Sequence, residues 1–182
     1  MRRKTFDGIL TVVGALITVL MLAAGAMLLW GANYTNSEVH NQLASQKIYF
    51  PAANSPEIKA LPAADATAMR QYSGELMTTG AQAEVWADHF IAVHLKEMGL
   101  TYDQASTLAR AHPGNAQYAA LESTVFQGTT LRSELLEAYG FSVFGTIAQI
   151  ASLVAFALAA LFLILTGLGF MHWRRVEPTV EI

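Results

Sequence analysis

The chain of 182 residues contains no cysteine. Disulfides, thiolate metal sites and cysteine nucleophiles are therefore excluded. A domain exported without disulfides is ordinary in many bacteria, whereas small secreted domains of animals usually carry them. The missing cysteine therefore favours a bacterial protein.

Charged residues are also scarce, at 14% of the chain, against about 25% in a typical soluble domain. The mean hydropathy is +0.35. The charges are missing from two runs, residues 9–32 and residues 138–173, and the second run extends over 36 residues. Because a helix needs about 20 apolar residues to cross a bilayer, we expect two transmembrane helices, the second in lipid over about residues 143–171.

The predicted fold class is an all-α membrane protein with two antiparallel transmembrane helices and a small helical extracytoplasmic domain between them. Its predicted segments are a cytoplasmic N-terminus (1–8), a first transmembrane helix (9–32), the extracytoplasmic domain (33–140), a second transmembrane helix (141–172) and a cytoplasmic C-terminus (173–182). The start of the chain also fits a signal peptide cleaved near Ala24-Gly25-Ala26. Because the apolar run continues to Trp30, we expect an uncleaved anchor.

The distribution of charge predicts the orientation. Basic residues next to membrane helices stay on the cytoplasmic side. The two flanks carry five bases against three acids, a net charge of +2, whereas the segment between the runs carries six bases against eleven acids, a net charge of −5. We therefore expect a cell-membrane protein with both termini in the cytoplasm. An acidic domain with scattered bases also argues against nucleic-acid binding.

Small residues lie on one face of each apolar run, a pattern that lets helix backbones approach closely in lipid. The candidate packing residues are Thr11, Gly14, Thr18 and Gly25 in the first run, and Ala148, Ala151, Ser152, Ala155 and Ala159 in the second. If the helices are antiparallel, the expected matches in depth are Gly14 with Ala160, Thr18 with Phe156, and Gly25 with Gln149.

Gln149 is the one strongly polar residue inside the stretches expected to be in lipid, 9–32 and 143–171. A lone amide in a membrane helix suggests a hydrogen bond between helices, within the chain or to a partner. A transport pathway would need more, usually charged groups that face a cavity.

Between the runs, capping signals predict helices. Thr79 with Gln82 forms a capping box at the start of a helix over 80–98, which Gly99 should end. A second capping box, Thr101 with Gln104, starts a helix that stops before residue 113.

The remaining signals are weaker. Asn115 fits the cap of another helix, with a break or kink expected at Gly128 and a helix from Thr130 into the second run. Residues 33–46 lack a helix breaker, so the first helix is expected to continue through them. Residues 47–51 read as extended, residues 51–62 as a proline-containing loop, and residues 65–72 as a short helix capped by Asp65. Arg132 is expected to pair with Glu134 or Glu137, if these are not solvated.

Four segments occur in an order that resembles a family of small actinobacterial membrane proteins. They are residues 42–48 (QLASQKI), 82–85 (QAEV) followed by Asp88-His89, 99–102 (GLTY), and 130–133 (TLRS) leading into an apolar helix. The resemblance covers nearly the whole chain and implies a two-helix membrane protein without an established activity. Some members carry the label of a ring-opening dioxygenase, which nothing in these residues supports and which we do not transfer.

Five histidines were considered for metal or catalytic chemistry: His40, His89, His94, His112 and His172. Zinc pairs on a helix lie four residues apart, as in H-E-x-x-H, whereas His89 and His94 are five apart. We expect His94 to be a core residue with one hydrogen bond. His172 reads as an interfacial flank, and Asp88-His89 as a solvated pair or a contact for a partner.

No G-x-S-x-G elbow, dinucleotide fingerprint or phosphate loop occurs. We therefore predict no catalytic residue, cofactor or metal. The leading hypothesis is a non-enzymatic accessory or assembly subunit of a larger envelope complex, or a homo-oligomer. The alternative is an external domain that binds a metal or small ligand, or acts as an enzyme, through Asp88, His89 and His40. A third hypothesis is a sensor, which would need a partner for its output.

Overall fold

The structure is a computed structural model and describes residues 2–177. It is 82% helical, and the described residues form no strand. The helices are α1 (Arg3–Gln46), α2 (Pro56–Ala60), α3 (Ala63–Arg70), α4 (Gly80–Trp86), a π-helical segment (Ala87–Ile91), α5 (Ala92–Glu97), α6 (Tyr102–Ala111) and α7 (Ala116–Arg175). The predicted all-α class is confirmed.

Helices α1 and α7 are each long and apolar enough to cross a membrane. The most apolar 18-residue window of each has a mean hydropathy of 2.5, and 11% of that window is buried inside the structure. The core helix of a soluble protein would bury most of such a surface. The low burial is therefore what helices that face lipid would show.

The chain divides into two compact units. The terminal unit comprises Met1–Tyr34 and Gly145–Ile182, and the central unit comprises Thr35–Phe144. Helices α2 to α6 belong to the central unit, and both long helices contribute residues to each unit.

Helix α7 follows the sequence prediction at its start but not at Gly128. Asn115 caps it as predicted, since its Oδ1 accepts the backbone N–H of Gln117 at 2.9 Å. The predicted break at Gly128 is wrong, because α7 continues through it. A Cβ at this position would lie 2.8 Å from Cδ2 of Leu95. The glycine therefore permits a close approach of Leu95 within a continuous helix.

The capping boxes form as predicted at the starts of α4 and α6. Gln82 Oε1 accepts the backbone N–H of Thr79 at 3.1 Å, and Thr79 Oγ1 accepts that of Gln82 at 3.3 Å. Gly99 has a φ of 71°, the left-handed stop that the sequence indicated. The sequence did not indicate the π-helical segment that separates α4 from α5.

Residues 48–50 are extended as predicted and pair with residues 74–77, whereas Lys47 has a φ of 54° and is not extended. The backbone N–H of Met77 donates to the Ile48 carbonyl at 2.8 Å, and that of Phe50 donates to the Glu75 carbonyl at 2.9 Å. This pairing places Phe50 in the core of the central unit, where it is 2% exposed. Its ring lies 5.0 Å from that of Trp86.

Two local predictions near the prolines are wrong. The loop predicted for residues 51–62 contains the short helix α2, whose N-cap Ser55 accepts the backbone N–H of Ile58. Asp65 does not cap α3, which begins at Ala63 after Pro62. Asp65 lies instead in the first turn, and its carboxylate contacts His89 at 2.7 Å.

The first residue of α4 provides a stability test. A Cβ at Gly80 would overlap the side chain of Ser142 and lie 3.1 Å from Cα of Tyr139. We expect Gly80→Ala to lower the free energy of unfolding by about 1–3 kcal/mol, as overpacking does. Gly140→Ala is the control, because a Cβ there meets no atom within 4 Å. It should raise stability by up to about 1 kcal/mol through helix propensity. Denaturation in detergent, followed by circular dichroism, would measure both, and equal effects would contradict the prediction.

Candidate functional sites

In the terminal unit, the small-residue faces predicted for both long helices are buried. Thr18 is 5% exposed, Ser152 0%, Ala155 8% and Ala159 1%. Lipid gives no hydrophobic force between helices, so close packing and hydrogen bonds must hold them together. These residues therefore lie where two membrane helices would pack.

Glycines allow the closest contacts of this unit. A Cβ at Gly14 would lie 2.5 Å from Thr166 Oγ1, and a Cβ at Gly25 would lie 2.9 Å from Cε1 of Phe156. Both distances are too short for a real Cβ, so no larger residue fits at either position without movement of its neighbour. Gly14 and Gly25 are therefore points of close approach within the terminal unit.

Buried and half-buried positions of the terminal unit recur at alternating steps of three and four residues. Those that follow this repeat are 11, 14, 18, 21, 25, 28 and 32 in α1, and 145, 148, 152, 155, 159, 162, 166 and 169 in α7, and further half-buried positions such as 17, 24, 151 and 156 flank them. A mean repeat of 3.5 is that of left-handed coiled coils and of most transmembrane helix bundles. We call these two sets of positions the seam.

Two of the three predicted depth matches are wrong, and that of Thr18 with Phe156 stays a prediction. Gly14 contacts Thr166 rather than Ala160, and Gly25 contacts Phe156 rather than Gln149. The correction is a shift of about one heptad. Such a shift returns a 3.5-residue repeat to the same face, so the spacing of small residues identified the face but not the register.

Gln149 and Ala151 lie away from the centre of the seam. Ala151 is half-buried, and Gln149 is exposed. No described residue forms a hydrogen bond with the Gln149 side chain, so the predicted bond within the chain is wrong. The predicted bond to a partner stays open.

A polar contact that was not predicted from the sequence lies at the end of the terminal unit. Asp7 Oδ2 lies 3.6 Å from His172 Nε2, and Nη2 of Arg3 lies 3.5 Å from the same nitrogen. Asp7 Oδ2 is buried and accepts no hydrogen bond from a described residue. The sequence did contain a signal for this contact: Asp7 is an acid within the basic flank of the first apolar run, and His172 lies at the end of the second.

Asp88 and His89 lie in the π-helical segment of the central unit, where Ala92 N–H bonds the Ala87 carbonyl five residues back. Asp88 Oδ1 accepts a hydrogen bond from Nη2 of Arg132 at 2.6 Å. His89 Nδ1 lies 2.7 Å from Oδ1 of Asp65. The two side chains therefore engage partners on different helices and do not converge on one ligand.

These two pairs are partly exposed. The side chains of His89 and Asp65 are 37% and 22% exposed, and those of Arg132 and Asp88 are both 39% exposed. Arg132 thus pairs with Asp88 rather than with Glu134 or Glu137, and Asp88-His89 is not a simply solvated pair. Within residues 2–177, no three His, Asp or Glu side chains lie close enough together to hold a metal ion.

Two other histidines from the sequence analysis fall elsewhere. His94 Nδ1 lies 2.7 Å from the Phe90 carbonyl, which confirms its predicted single hydrogen bond, although the residue is half-buried. It lines a cavity of about 250 Å³ with Phe90 and Leu131. His40 is exposed on α1, and no hydrogen bond joins it to Asp88 or His89.

No protein-family model, curated protein or solved structure matches this chain.

The contact between Gly25 and Phe156 provides a test of the seam. Gly25→Leu would force the Phe156 ring to move, and we expect it to lower the free energy of unfolding by about 1–3 kcal/mol. Gly167→Leu is the control on α7, because a Cβ there meets no atom within 4 Å. Thermal unfolding in the same detergent compares them. If Gly167→Leu lowered the free energy of unfolding as much as Gly25→Leu, the assignment of the seam to this face would be contradicted.

Proposed function

We propose that the chain is a two-pass integral membrane protein whose helical central unit is extracytoplasmic and whose termini lie in the cytoplasm. The weak burial of both apolar windows supports the membrane location. The net charges of +2 for the flanks and −5 for the segment between them support the orientation, because basic residues are retained inside.

An antiparallel pair of transmembrane helices is part of this proposal. The contacts support it, since Gly14 meets Thr166 whereas Gly25, further along α1, meets Phe156, earlier in α7. The hydrogen bond from Thr18 Oγ1 to the Gly14 carbonyl, at 2.8 Å, satisfies one hydroxyl at this interface without a partner chain.

The observation that carries the functional proposal is the exposed amide of Gln149. The seam occupies the small-residue face, and Gln149 lies outside it, near the extracytoplasmic end of the stretch expected to be in lipid. A polar side chain at the edge of the hydrocarbon favours a hydrogen-bonded partner. Because no described residue of the chain supplies one, a helix of another chain is the simplest source.

We therefore propose that the protein acts by lateral contact in the membrane, as an accessory or assembly subunit of a larger envelope complex. The partner offers an amide or hydroxyl at the depth of Gln149, and a second copy of this chain meets that requirement through its own Gln149. The ion pair between Asp88 and Arg132 is consistent with this proposal. It links the π-helical segment to α7, and the two side chains do not form part of a common reactive site.

A single cysteine can test this contact, because the native chain has none. Leu153 and Val154 are 64% and 54% exposed, and in a helix they lie about 40° and 140° from Gln149 around the axis. We expect Leu153→Cys to form crosslinked species in native membranes with a thiol-reactive crosslinker, and Val154→Cys to form far fewer. Adding Gln149→Leu to Leu153→Cys should reduce the crosslinked fraction several-fold.

The same membranes, solubilised in mild detergent, should give a larger particle for the native chain than for Gln149→Leu. A monomer for both, together with equal crosslinking at positions 153 and 154, would overturn the proposal. Mass spectrometry of the crosslinked species distinguishes a second copy from a different subunit.

A second candidate function rests on the π-helical segment, because such irregular turns occur frequently at functional sites. In this alternative, the central unit binds a metal or small ligand through His89, whose Nδ1 is held by Asp65 and whose Nε2 is the ligand atom. Metal analysis of the purified protein should then show bound metal that His89→Ala removes. His112→Ala is the control, since His112 lies on another helix end. Purified protein without metal, even after incubation with zinc, would contradict the metal-binding form of this alternative.

A further inference from the structure

A groove of about 730 Å³ runs along the terminal unit beside the start of α1 and the end of α7. Basic side chains, Arg2 and Lys4, line one part of it. Apolar side chains line the rest, and these include Ile9, Val12 and Phe170. The groove is therefore amphipathic along its length, with cations toward the N-terminal end of α1 and an apolar wall further along that helix.

Gly8 and Trp173 shape this groove. A Cβ at Gly8 would lie 3.1 Å from Nε1 of Trp173, so the glycine lets the indole lie close to the backbone of α1. The guanidinium of Arg174 lies 5.9 Å from the centre of the Phe170 ring. Tryptophan and arginine at the end of a span are typical of the headgroup region of a bilayer.

The charge on this side of the unit is positive. The nearest acid on α1, Asp7, lines a different groove together with Thr166 and His172. It is also close to His172 Nε2, at 3.6 Å. Arg2 and Lys4 have no ion pair with an acid among the described residues, so their charge is available to an anion in this groove.

We propose that the groove binds an anionic phospholipid of the cytoplasmic leaflet. Arg2 and Lys4 bind the phosphate, Trp173 lies at the level of the glycerol backbone, and an acyl chain packs along Ile9, Val12 and Phe170. Basic pockets at the cytoplasmic ends of transmembrane helices bind such headgroups. The inference rests on the proposed membrane orientation but not on the proposed lateral assembly through Gln149.

Retention of lipid after extraction tests the proposal. The full-length protein is reconstituted into vesicles of phosphatidylglycerol and phosphatidylcholine in equal amounts and re-extracted in mild detergent, and bound lipid is measured by mass spectrometry. We expect phosphatidylglycerol to be retained in preference to phosphatidylcholine. The double variant Arg2→Gln/Lys4→Gln should lower that preference roughly fivefold or more, as expected for the loss of basic residues next to an anionic surface.

Two matched controls separate the groove from general charge and surface effects. Lys47→Gln/Lys59→Gln removes the same charge from the central unit and should leave the preference unchanged. Val12→Trp fills the groove, whereas Val19→Trp changes a residue of the same type and the same 61% exposure outside it. Only Val12→Trp should lower retention.

Equal retention of the two lipids by the native protein would overturn the proposal, and so would equal losses in a variant and its control. Displacement of the lipid by inorganic phosphate would also overturn it, because the site would then recognise a free anion rather than a phospholipid.

Cysteine labelling distinguishes a wrong membrane orientation from a wrong lipid site. In intact cells, an impermeant maleimide should label Ser45→Cys but not Thr5→Cys. External labelling of Thr5→Cys would overturn the orientation and the lipid site together. Correct labelling without preferential retention of phosphatidylglycerol would overturn only the lipid site.

Discussion

The close approach of helix backbones in the terminal unit is the constraint on which the rest of this structure depends. Gly14 and Gly25 leave no room for a Cβ against Thr166 and Phe156, and Ala155 and Ala159 complete a face without long side chains. Dispersion contacts fall off steeply with distance, so helices in lipid gain from such an interface only when small residues let them come close. The seam therefore stabilises this unit by the shape of its residues rather than by their hydrophobicity.

This constraint also determines what remains on the outer faces. Outside the seam, the surface of this unit carries mostly large apolar side chains, with exposed small residues such as Ala160 and Gly167, the amide of Gln149 and the basic groove next to Trp173. Large aliphatic side chains suit lipid and need no partner. The amide and the basic side chains do not suit lipid, and each favours a particular contact: a polar group on another helix for Gln149, and a phosphate for Arg2 and Lys4. The proposed assembly and the proposed lipid binding would thus be separate consequences of one packing arrangement.

Much of the secondary structure could be predicted because its signals are local. Thr79 with Gln82, Thr101 with Gln104, and Asn115 each satisfy backbone groups at a helix start within three residues of themselves. A capping residue therefore predicts a helix start from the local sequence alone, wherever the helix lies in the fold. The spacing of small residues likewise identified the packed faces, because a helical face depends only on the repeat.

What the sequence analysis missed depends on tertiary contacts. Gly128 resembles a helix break when it is read alone, but the side chain of Leu95 explains it. The register of the seam is ambiguous by one heptad, since the repeat looks the same after seven residues. Asp65 has the position of a helix cap, yet it contacts a histidine 24 residues away. None of these partners can be identified from the spacing of nearby residues.

The π-helical segment, which local signals in the sequence did not indicate, bears on the choice between the two proposed functions. The rings of Trp86, Phe90 and His94 contact one another in tilted pairs, with ring centres 4.9 Å and 4.5 Å apart. Within the segment, Asp88 contacts Arg132 and His89 contacts Asp65. Each charge that a ligand would need is thereby already paired within the fold. A ligand at this segment would have to displace Asp65 or Arg132, or bind through His89 Nε2 alone. That requirement favours a structural role for both pairs.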